Sequence, residues 1–371
     1  MEFSIKRDAL LKSLNLAQGI IEKKNTLPIL SNVLLKAQDD KLFIIATDLD
    51  IVFYDTIDNV KISKKGETTT SATVLYDILR KISSDSDVYL SLKSDNQLSL
   101  RADNSDFNLK CLPTDNFPNF ADEFDNSEIV LNKSKFLSLI NKTKISISSD
   151  DTRHYLNGIF IHLTDSQNKT YLTAVATDSH RLSSSSIEVE RGKKFSSFIL
   201  PKKTVYQLSN LLQDSEDKVF MFTSDTKIQF KMGKTILISK VIDGKFPDYR
   251  KVVPTNNDKT LIVSSKEFID SVERVATVSV DKKEGVKLEI NKDKIKLSVN
   301  STTSGEGNEI LKANYNSDEL TISFNSRYLI DIVSEIEDSK LKMNLKDPVS
   351  PVLIEDNSDR NSYYVIMPMK I

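Results

Sequence analysis

One plan is written three times along this chain, so whatever fold it adopts is built three times over. Phe3-Ser4-Ile5 runs into RDALLKSLNLAQGII, IVLN runs into KSKFLSLINKT near residue 130, and LIVS runs into SKEFIDSVERV near residue 262. Each segment reads as a short strand, a polar cap region and an amphipathic helix. The apolar residues fall at helical spacing: Leu10, Leu14, Ala17 and Ile21; Phe136, Leu137 and Ile140; Phe268, Ile269, Val272 and Val275. The copies lie about 125 to 130 residues apart. A second strand and helix recurs halfway through each copy. There TTTSATVLYDILRKI, SFILPKKTVYQLSNLL and TISFNSRYLIDIVSEI align Leu75 with Val205 and Leu329, and Ile78 with Leu208 and Ile332. Alternating segments such as KLFIIATDLDIVFYDTI and KVFMFTSDTKIQFKMG fill the remainder as strands. The helices are too few to cover both faces of a parallel sheet. The predicted class is therefore α+β, with two helices per copy packed on antiparallel sheets, in three domains spanning 1–126, 127–255 and 256–371.

A chain of 371 residues is too long for one ordinary core and suits two to four domains. No apolar run approaches the length needed to span a bilayer. The opening Met1-Glu2-Phe3-Ser4-Ile5-Lys6 lacks the layout of a secretory signal, and the single cysteine, Cys111, has no partner for an internal disulfide. The expected compartment is the cytoplasm, without membrane contact. Cys111 lies in a strand-like stretch and reads as a buried packing thiol. The formal net charge of −2 argues against a wholly basic nucleic-acid binder but leaves the distribution of charge open.

Chemistry-bearing motifs are sparse. The sequence has no phosphate-binding glycine loop and no C-x-x-C pair, and His154, His162 and His180 follow no metal spacing, so neither cofactor nor metal is expected. Asp178-Ser179-His180 holds the three residue types of a hydrolytic triad. Neighbours on a strand point to opposite faces, however, and Ala46-Thr47-Asp48 repeats Ala176-Thr177-Asp178, which makes the Thr-Asp pair a strand-end feature. No catalytic residue is assigned.

Two patterns remain. Basic residues gather on the helical segments: Lys12, Lys23, Lys24, Arg80, Lys81, Lys135, Lys142, Lys144, Lys202, Lys203, Lys266, Arg274 and Arg327. Each alone suits a solvated face; together they suit phosphates contacted without sequence reading. The second pattern is a set of mixed apolar segments, TRHYLNG (152–158), TDSHRL (177–182), GKFPDYRKV (244–252) and the terminal YYVIMPMKI, which ends without a polar tail. Chain ends usually fray, so apolar side chains there are either packed or used. Together these segments suit a groove for a partner peptide.

TLPIL (26–30), TRHYLNG, ATDSHRL, DGKFPDYRKV and VIMPMKI, in this order along the full length, closely resemble the bacterial DNA polymerase III beta subunit family, the replicative sliding clamps. The resemblance implies a non-enzymatic protein whose three clamp domains dimerise head-to-tail into a six-domain ring around double-stranded DNA. It also implies tethering of the replicative polymerase's catalytic subunit, loading by a clamp loader complex, and a hydrophobic pocket that receives motifs of replication and repair proteins. Carried over by motif, the pocket comprises Arg153, Tyr155, Leu156, Thr177, Ser179, His180, Arg181, Leu182, Pro247, Val252, Tyr328, Val349, Val365, Ile366, Met367, Pro368 and Met369. DNA contacts fall to Lys12, Lys24, Arg80, Tyr155, Lys202 and Lys203. The subunit seam pairs Phe107 and Leu109 with Thr277 and Val278. The chain departs from the family pattern at Ser179, where glycine is usual, and at Asp150, His154 and Pro351. Two other readings stand beside the clamp: a peptide-binding scaffold of the same fold that does not encircle DNA, and a hydrolase using Asp178 and His180.

Overall fold

A computed structural model describes residues 1–22, 27–94, 96–118, 124, 128–192, 195–213, 217–278 and 285–370. The first repeat runs β1 (Glu2–Lys6), α1 (Arg7–Ala17), β2 (Asn32–Gln38), β3 (Lys41–Thr47), β4 (Ile51–Asp58), β5 (Lys61–Lys64), β6 (Gly66–Ser71), α2 (Ala72–Lys81), β7 (Asp87–Ser94), β8 (Gln97–Ala102) and β9 (Ser105–Leu112). The second runs β10 (Ile129–Asn132), α3 (Lys133–Lys144), β11 (Gly158–Ser166), β12 (Lys169–Thr177), β13 (Arg181–Val189), β14 (Phe198–Pro201), α4 (Lys202–Gln213), β15 (Lys218–Thr223), β16 (Lys227–Met232) and β17 (Thr235–Lys240). The third runs β18 (Lys259–Ser264), α5 (Ser265–Ala276), β19 (Gly285–Asn291), β20 (Lys294–Ser301), β21 (Gly305–Lys312), β22 (Leu320–Asn325), α6 (Ser326–Ser334), β23 (Lys340–Leu345), β24 (Val352–Glu355) and β25 (Ser362–Ile366). Apart from β5, the order is the same each time.

The helices begin where the repeat supplies acceptors. The first amides of α1, α3 and α5 each bond a carbonyl just ahead of the strand after the second helix: Arg7 to Ser86, Lys133 to Asp217 and Ser265 to Ser339, all at 2.9 Å. This shared backbone cap lets α1 start at Lys6 without a side-chain cap. Side-chain oxygens of Ser71, Ser264 and Asn325 cap α2, α5 and α6. The buried stripes follow the expected period, with Leu10, Leu14, Phe136, Ile140, Phe268 and Val272 at or near zero exposure. Two positions differ from the sequence reading. Leu139, not Leu137, faces the core of α3, and Ile21 is buried beyond the end of α1.

Each of the described pairings between strands is antiparallel, and the chain divides into two compact units. One unit comprises Met1–Ser134, a short stretch ending at Ser196, and Tyr206–Val241. Its sheet is ordered β10-β15-β16-β17-β4-β3-β2-β6-β9-β8-β7-β1-β5. Here β4 of the first repeat pairs with β17 of the second, from Ile51 opposite Ser239 to Tyr54 opposite Ile236. The other unit holds the sheets β14-β11-β12-β13-β25-β24-β23-β18 and β21-β20-β19-β22. In it β13 of the second repeat pairs with β25 of the third, from Arg181 opposite Ile366 to Ser185 opposite Ser362. No helix of the described residues is long and apolar enough to cross a membrane. Cys111 is buried, and burial pushes its thiol pKa up.

Two residues assigned to basic helical faces are committed elsewhere. The Arg274 guanidinium is bound to the Glu309 carboxylate on β21. Lys142, with a side chain 4% exposed, meets Asp359 at 2.9 Å, Glu337 at 3.1 Å and the fully buried Asp356 at 4.0 Å. These acids lie in the third repeat, so the node ties α3 to the turn between β24 and β25. Burial raises the Asp359 and Asp356 pKa values, but hydrogen bonds from Ser362 and Lys142 to Asp359, and from Ser358 and the Glu337 amide to Asp356, outweigh it. Both carboxyls are held below the usual range. Their contribution to stability is present above the unfolded carboxyl pKa and is lost as pH falls through the depressed folded values. Lys142→Met leaves buried carboxylates without their cation and is expected to lower unfolding free energy by about 3–5 kcal/mol at neutral pH. Urea titrations should show the gap from wild type narrowing as the buffer is taken below about pH 4, the ordinary carboxyl range.

Candidate functional site

The tight turn between β12 and β13 is built twice from the same residue types. In the second repeat the Thr177 hydroxyl donates to the Arg181 carbonyl at 2.7 Å and accepts the Ser179 amide at 3.1 Å. Asp178 Oδ1 accepts the amides of His180 and Arg181, both at 2.9 Å. In the first repeat Thr47 and Asp48 make the same bonds to Ile51 and Leu49, with Asp48 capping Asp50 and Ile51. The Thr-Asp pair is thus a turn device. Asp178, Ser179 and His180 are spent on the turn rather than on strand faces, and the Asp178 carboxylate is directed at backbone amides and Arg181 instead of the His180 ring.

That turn forces its third residue into the left-handed region, with φ 80° at Leu49 and φ 76° at Ser179. A side chain there costs about 1 kcal/mol or more, which fits the glycine that the resemblance implies at the position of Ser179. Ser179 uses its side chain: Arg153 Nη1 donates to its Oγ at 2.6 Å, while Arg153 Nε bonds Asp150 at 2.9 Å. The Thr152 hydroxyl and amide, then Arg153, hold the Asp150 carboxyl below its ordinary range. On the other side Arg181, 9% exposed at its side chain, bonds Asp178 at 3.1 Å and Asp331 of α6 at 2.7 Å, with its guanidinium 4.2 Å from the Tyr328 ring centre. Two arginines therefore brace one turn.

The chain's end is anchored beside it. Along β25, Tyr364 and Ile366 are fully buried on the helix-covered face, while Val365 packs with Leu156, Val175, Leu182, Ile199, Phe246 and Tyr249 on the other. Beyond the strand, the Met367 amide bonds the His180 carbonyl at 2.8 Å, and the Met369 amide bonds Ser323 on β22 at 2.7 Å. Beyond β25 the apolar ending is held by these two backbone bonds.

Between turn, tail and the segment after β17 lies a cavity of about 270 Å³. It is lined by Leu156, Thr177, Ser179, Arg181, Leu182, Pro247, Asp248, Tyr249, Val252, Val365 and Met367. Val252 and Met367 stand at its mouth, 52% and 39% exposed. All four mixed segments singled out in the sequence contribute to it. Its size suits one or two apolar side chains rather than a large cofactor. Several residues assigned to the pocket sit elsewhere. Ile366 points into the opposite core because strand alternation turns it away from Val365. Met369 lies against Gly285 in the third repeat. Tyr328 acts at one remove, under Arg181. His180 contributes its backbone carbonyl, Val349 is 71% exposed in a turn capped by Asp347, and Pro368 lies beyond the lining. Arg153 braces Ser179 at the rim, and Tyr155 packs against the cluster beneath the cavity. Asp248 and Tyr249 line the cavity without having been singled out; the aromatic in the polar run FPDYRK was the available signal.

Of the residues assigned to DNA, Lys12 and Arg80 are exposed on α1 and α2, with Arg80 3.8 Å from Asp77. Lys202 and Lys203 open α4, and Lys202 Nζ bonds the Ser149 hydroxyl at 2.6 Å. Lys24 lies outside the described residues. Phe107 and Leu109 lie on β9, while Thr277 and Val278 follow α5.

Three family descriptions match in succession: the N-terminal domain of the DNA polymerase III beta subunit over residues 1–121, its central domain over 130–248 and its C-terminal domain over 250–370. The chain belongs to the DNA polymerase III beta subunit family. Within that family, the beta sliding clamp of Caulobacter vibrioides is 38% identical over 373 residues, covering 100% of both chains. That of Escherichia coli K12 is 33% identical over 371 residues, again with 100% coverage of both. The sliding clamp of Bartonella birtlesii bound to griselimycin superposes with a TM-score of 0.96 at 38% identity, and the Pseudomonas aeruginosa clamp bound to griselimycin with 0.93 at 31%, each covering 100% of both chains. Three tandem clamp domains of mixed helices and antiparallel sheets are therefore the fold of this chain.

The doubled turn gives an internal control. Asp178→Ala and Asp48→Ala each remove a carboxylate that accepts two backbone amides, with an expected loss of about 1–3 kcal/mol. Asp178→Ala also takes a carboxylate partner from Arg181. Urea unfolding should show a loss of that size in each variant.

Proposed function

We propose that this protein is a non-enzymatic DNA sliding clamp, closed as a head-to-tail homodimer, that holds the replicative polymerase on duplex DNA. The observation that carries the reading is the inter-repeat joint. The strand after the first Thr-Asp turn, β4, pairs with the last strand of the second repeat, β17; the strand after the second such turn, β13, pairs with the last strand of the third, β25. Applying the same rule once more pairs β21 with the last strand of a first repeat, β9. Among the described residues, β21 ends its sheet, and β9 meets β6 only at Cys111 and Leu112. On this rule β21 and β9 are the edges left for a second copy, which satisfies one at each end of the chain.

This rule supports a seam at the residues expected for it. Phe107 and Leu109 occupy the stretch of β9 equivalent to the paired stretches of β17 and β25. Val278 lies beside β21, its Cγ2 3.4 Å from where a Cβ on Gly307 would stand. Domain limits of 1–126, 127–255 and 256–371 place one complete strand-helix-strands plan on each side of every joint.

A ring explains the charge. Closure prevents escape without a tight hold on phosphates, so Lys12, Lys24, Arg80, Lys202, Lys203 and Tyr155 need make only weak, exchangeable contacts with duplex DNA. The cavity serves as the shared dock for short apolar motifs of the polymerase's catalytic subunit, the clamp loader and repair proteins, with the turn as its floor and the tail as one wall. The likeness to clamps solved with griselimycin supports a ligand-accepting surface of this kind. The test is the molecular mass in solution. Wild type is expected to sediment at twice the chain mass at micromolar concentration. Phe107→Asp, which buries a charge in the seam, is expected to shift it to the single-chain mass with its circular dichroism unchanged. A wild-type monomer, or a dimer insensitive to Phe107→Asp, counts against the seam.

A further inference from the structure

The wall that supplies Pro247, Asp248, Tyr249 and Val252 to the cavity has little ladder to hold it. After Ile242, whose amide bonds the Ile199 carbonyl, the segment leaves the sheet edge and makes the local bond of the Lys251 amide to Asp248. The sheet face under it is apolar where Val175, Leu182, Ile199 and Val365 meet Phe246 and Tyr249, and polar where Thr173 stands opposite His162 on β12 with Ser186 beyond it on β13. The apolar part is non-directional and does not by itself set the segment's position. Two side chains of β11, two residues apart and so on one face, add directional contacts. Phe160 stacks on Phe246 with ring centres 4.9 Å apart at 6°, and His162 Nε2 lies 3.1 Å from the Tyr249 hydroxyl. His162 also sits 4.8 Å from the Phe160 ring, so the four rings form one group.

The hydrogen-bond roles follow from the acceptors available. His162 Nδ1 is 3.2 Å from the Leu163 carbonyl, which only accepts, so Nδ1 carries the proton and Nε2 is left to accept from Tyr249. Tyr249 is 8% exposed and lines the cavity. We propose that His162 is a positioning residue for the cavity: by accepting the Tyr249 hydroxyl it fixes the 246–252 wall, and with it the spacing at which a docked peptide's apolar side chains are received. This rests on the reading of the cavity as the partner-peptide site.

The arrangement makes the wall acid-sensitive. Burial holds the His162 pKa below its ordinary value; the Leu163 carbonyl favours the proton, and Arg250 opposes it. The groups facing this cluster are Tyr249 and Arg250 on the segment, Tyr363 on β25, whose pKa is pushed up by burial, and the hydroxyls of Thr173, Ser184 and Ser186. None is a carboxylate that would stabilise an imidazolium. When His162 is protonated, Nε2 becomes a donor, so the Tyr249 hydroxyl must turn to accept and a buried imidazolium is left without a carboxylate beside it.

The experiment uses the full chain and a fluorescein-labelled peptide carrying glutamine, leucine and phenylalanine, with binding read by anisotropy and hydrogen exchange of residues 246–252 read by mass spectrometry on the free protein. His162→Leu is expected to weaken binding by about tenfold and to speed exchange in that segment. His162→Gln, which keeps an acceptor, restores both. Wild-type affinity is expected to fall as pH drops through the depressed His162 pKa, below the ordinary imidazole value of about 6.5, while His162→Gln stays flat. Should His162→Leu not fold, Tyr249→Phe removes only the hydroxyl and carries the same expectation. Wild-type affinity and exchange in both His162→Leu and Tyr249→Phe would overturn the assignment. A peptide that fails to bind wild type, while exchange still rises in His162→Leu, would overturn the peptide reading and support the hold of His162 on the wall.

Discussion

Backbone hydrogen bonds between β13 and β25 decide most of what lies around them. Setting Leu182 opposite Val365 and Arg181 opposite Ile366 fixes which side of the tail faces the cavity and which side enters the core. A slip of one residue would exchange Val365 for Ile366 and turn the cavity wall inside out. The joint is reinforced on both faces: beneath it by Lys142 and its carboxylates, and beside it by Arg181 between Asp178 and Asp331. The same kind of joint recurs between β4 and β17. The ladder therefore makes the chain continuous, and the side chains added around one copy of it make a site.

The repeat was legible because it rests on local periodicity. Apolar residues at helical spacing marked the helices, and the threefold recurrence of strand and helix marked the domains. The Thr-Asp turn was legible for a related reason, since each of its hydrogen bonds closes within four residues. What could not be read was long-range. Lys142 looks like any surface lysine until Asp359, 217 residues away, is placed against it. The tail was visibly apolar, but the face on which Ile366 falls depends on register with β13. Met369 goes to β22 instead of the cavity for the same reason. Tyr249 stood out as an aromatic within a singled-out segment, but its partner His162 is 87 residues away, so their pairing carried no local signal.

Ser179 shows how a departure from the family pattern is absorbed. The turn geometry is kept at some cost in strain, and the added hydroxyl receives Arg153. This draws Arg153 to the cavity rim and couples it to Asp150, another departure. The two changes thus act on one bond network, a coupling that neither substitution suggests on its own.

Topological closure is the central claim, and it is tested most directly by loading the protein with a clamp loader and ATP onto a nicked circular plasmid and measuring coelution in high salt. The account predicts that the protein stays with the circle, where screening has removed most phosphate attraction, and is released when a restriction enzyme makes the plasmid linear. Equal retention on circular and linear DNA, or loss from both as salt rises, would contradict it.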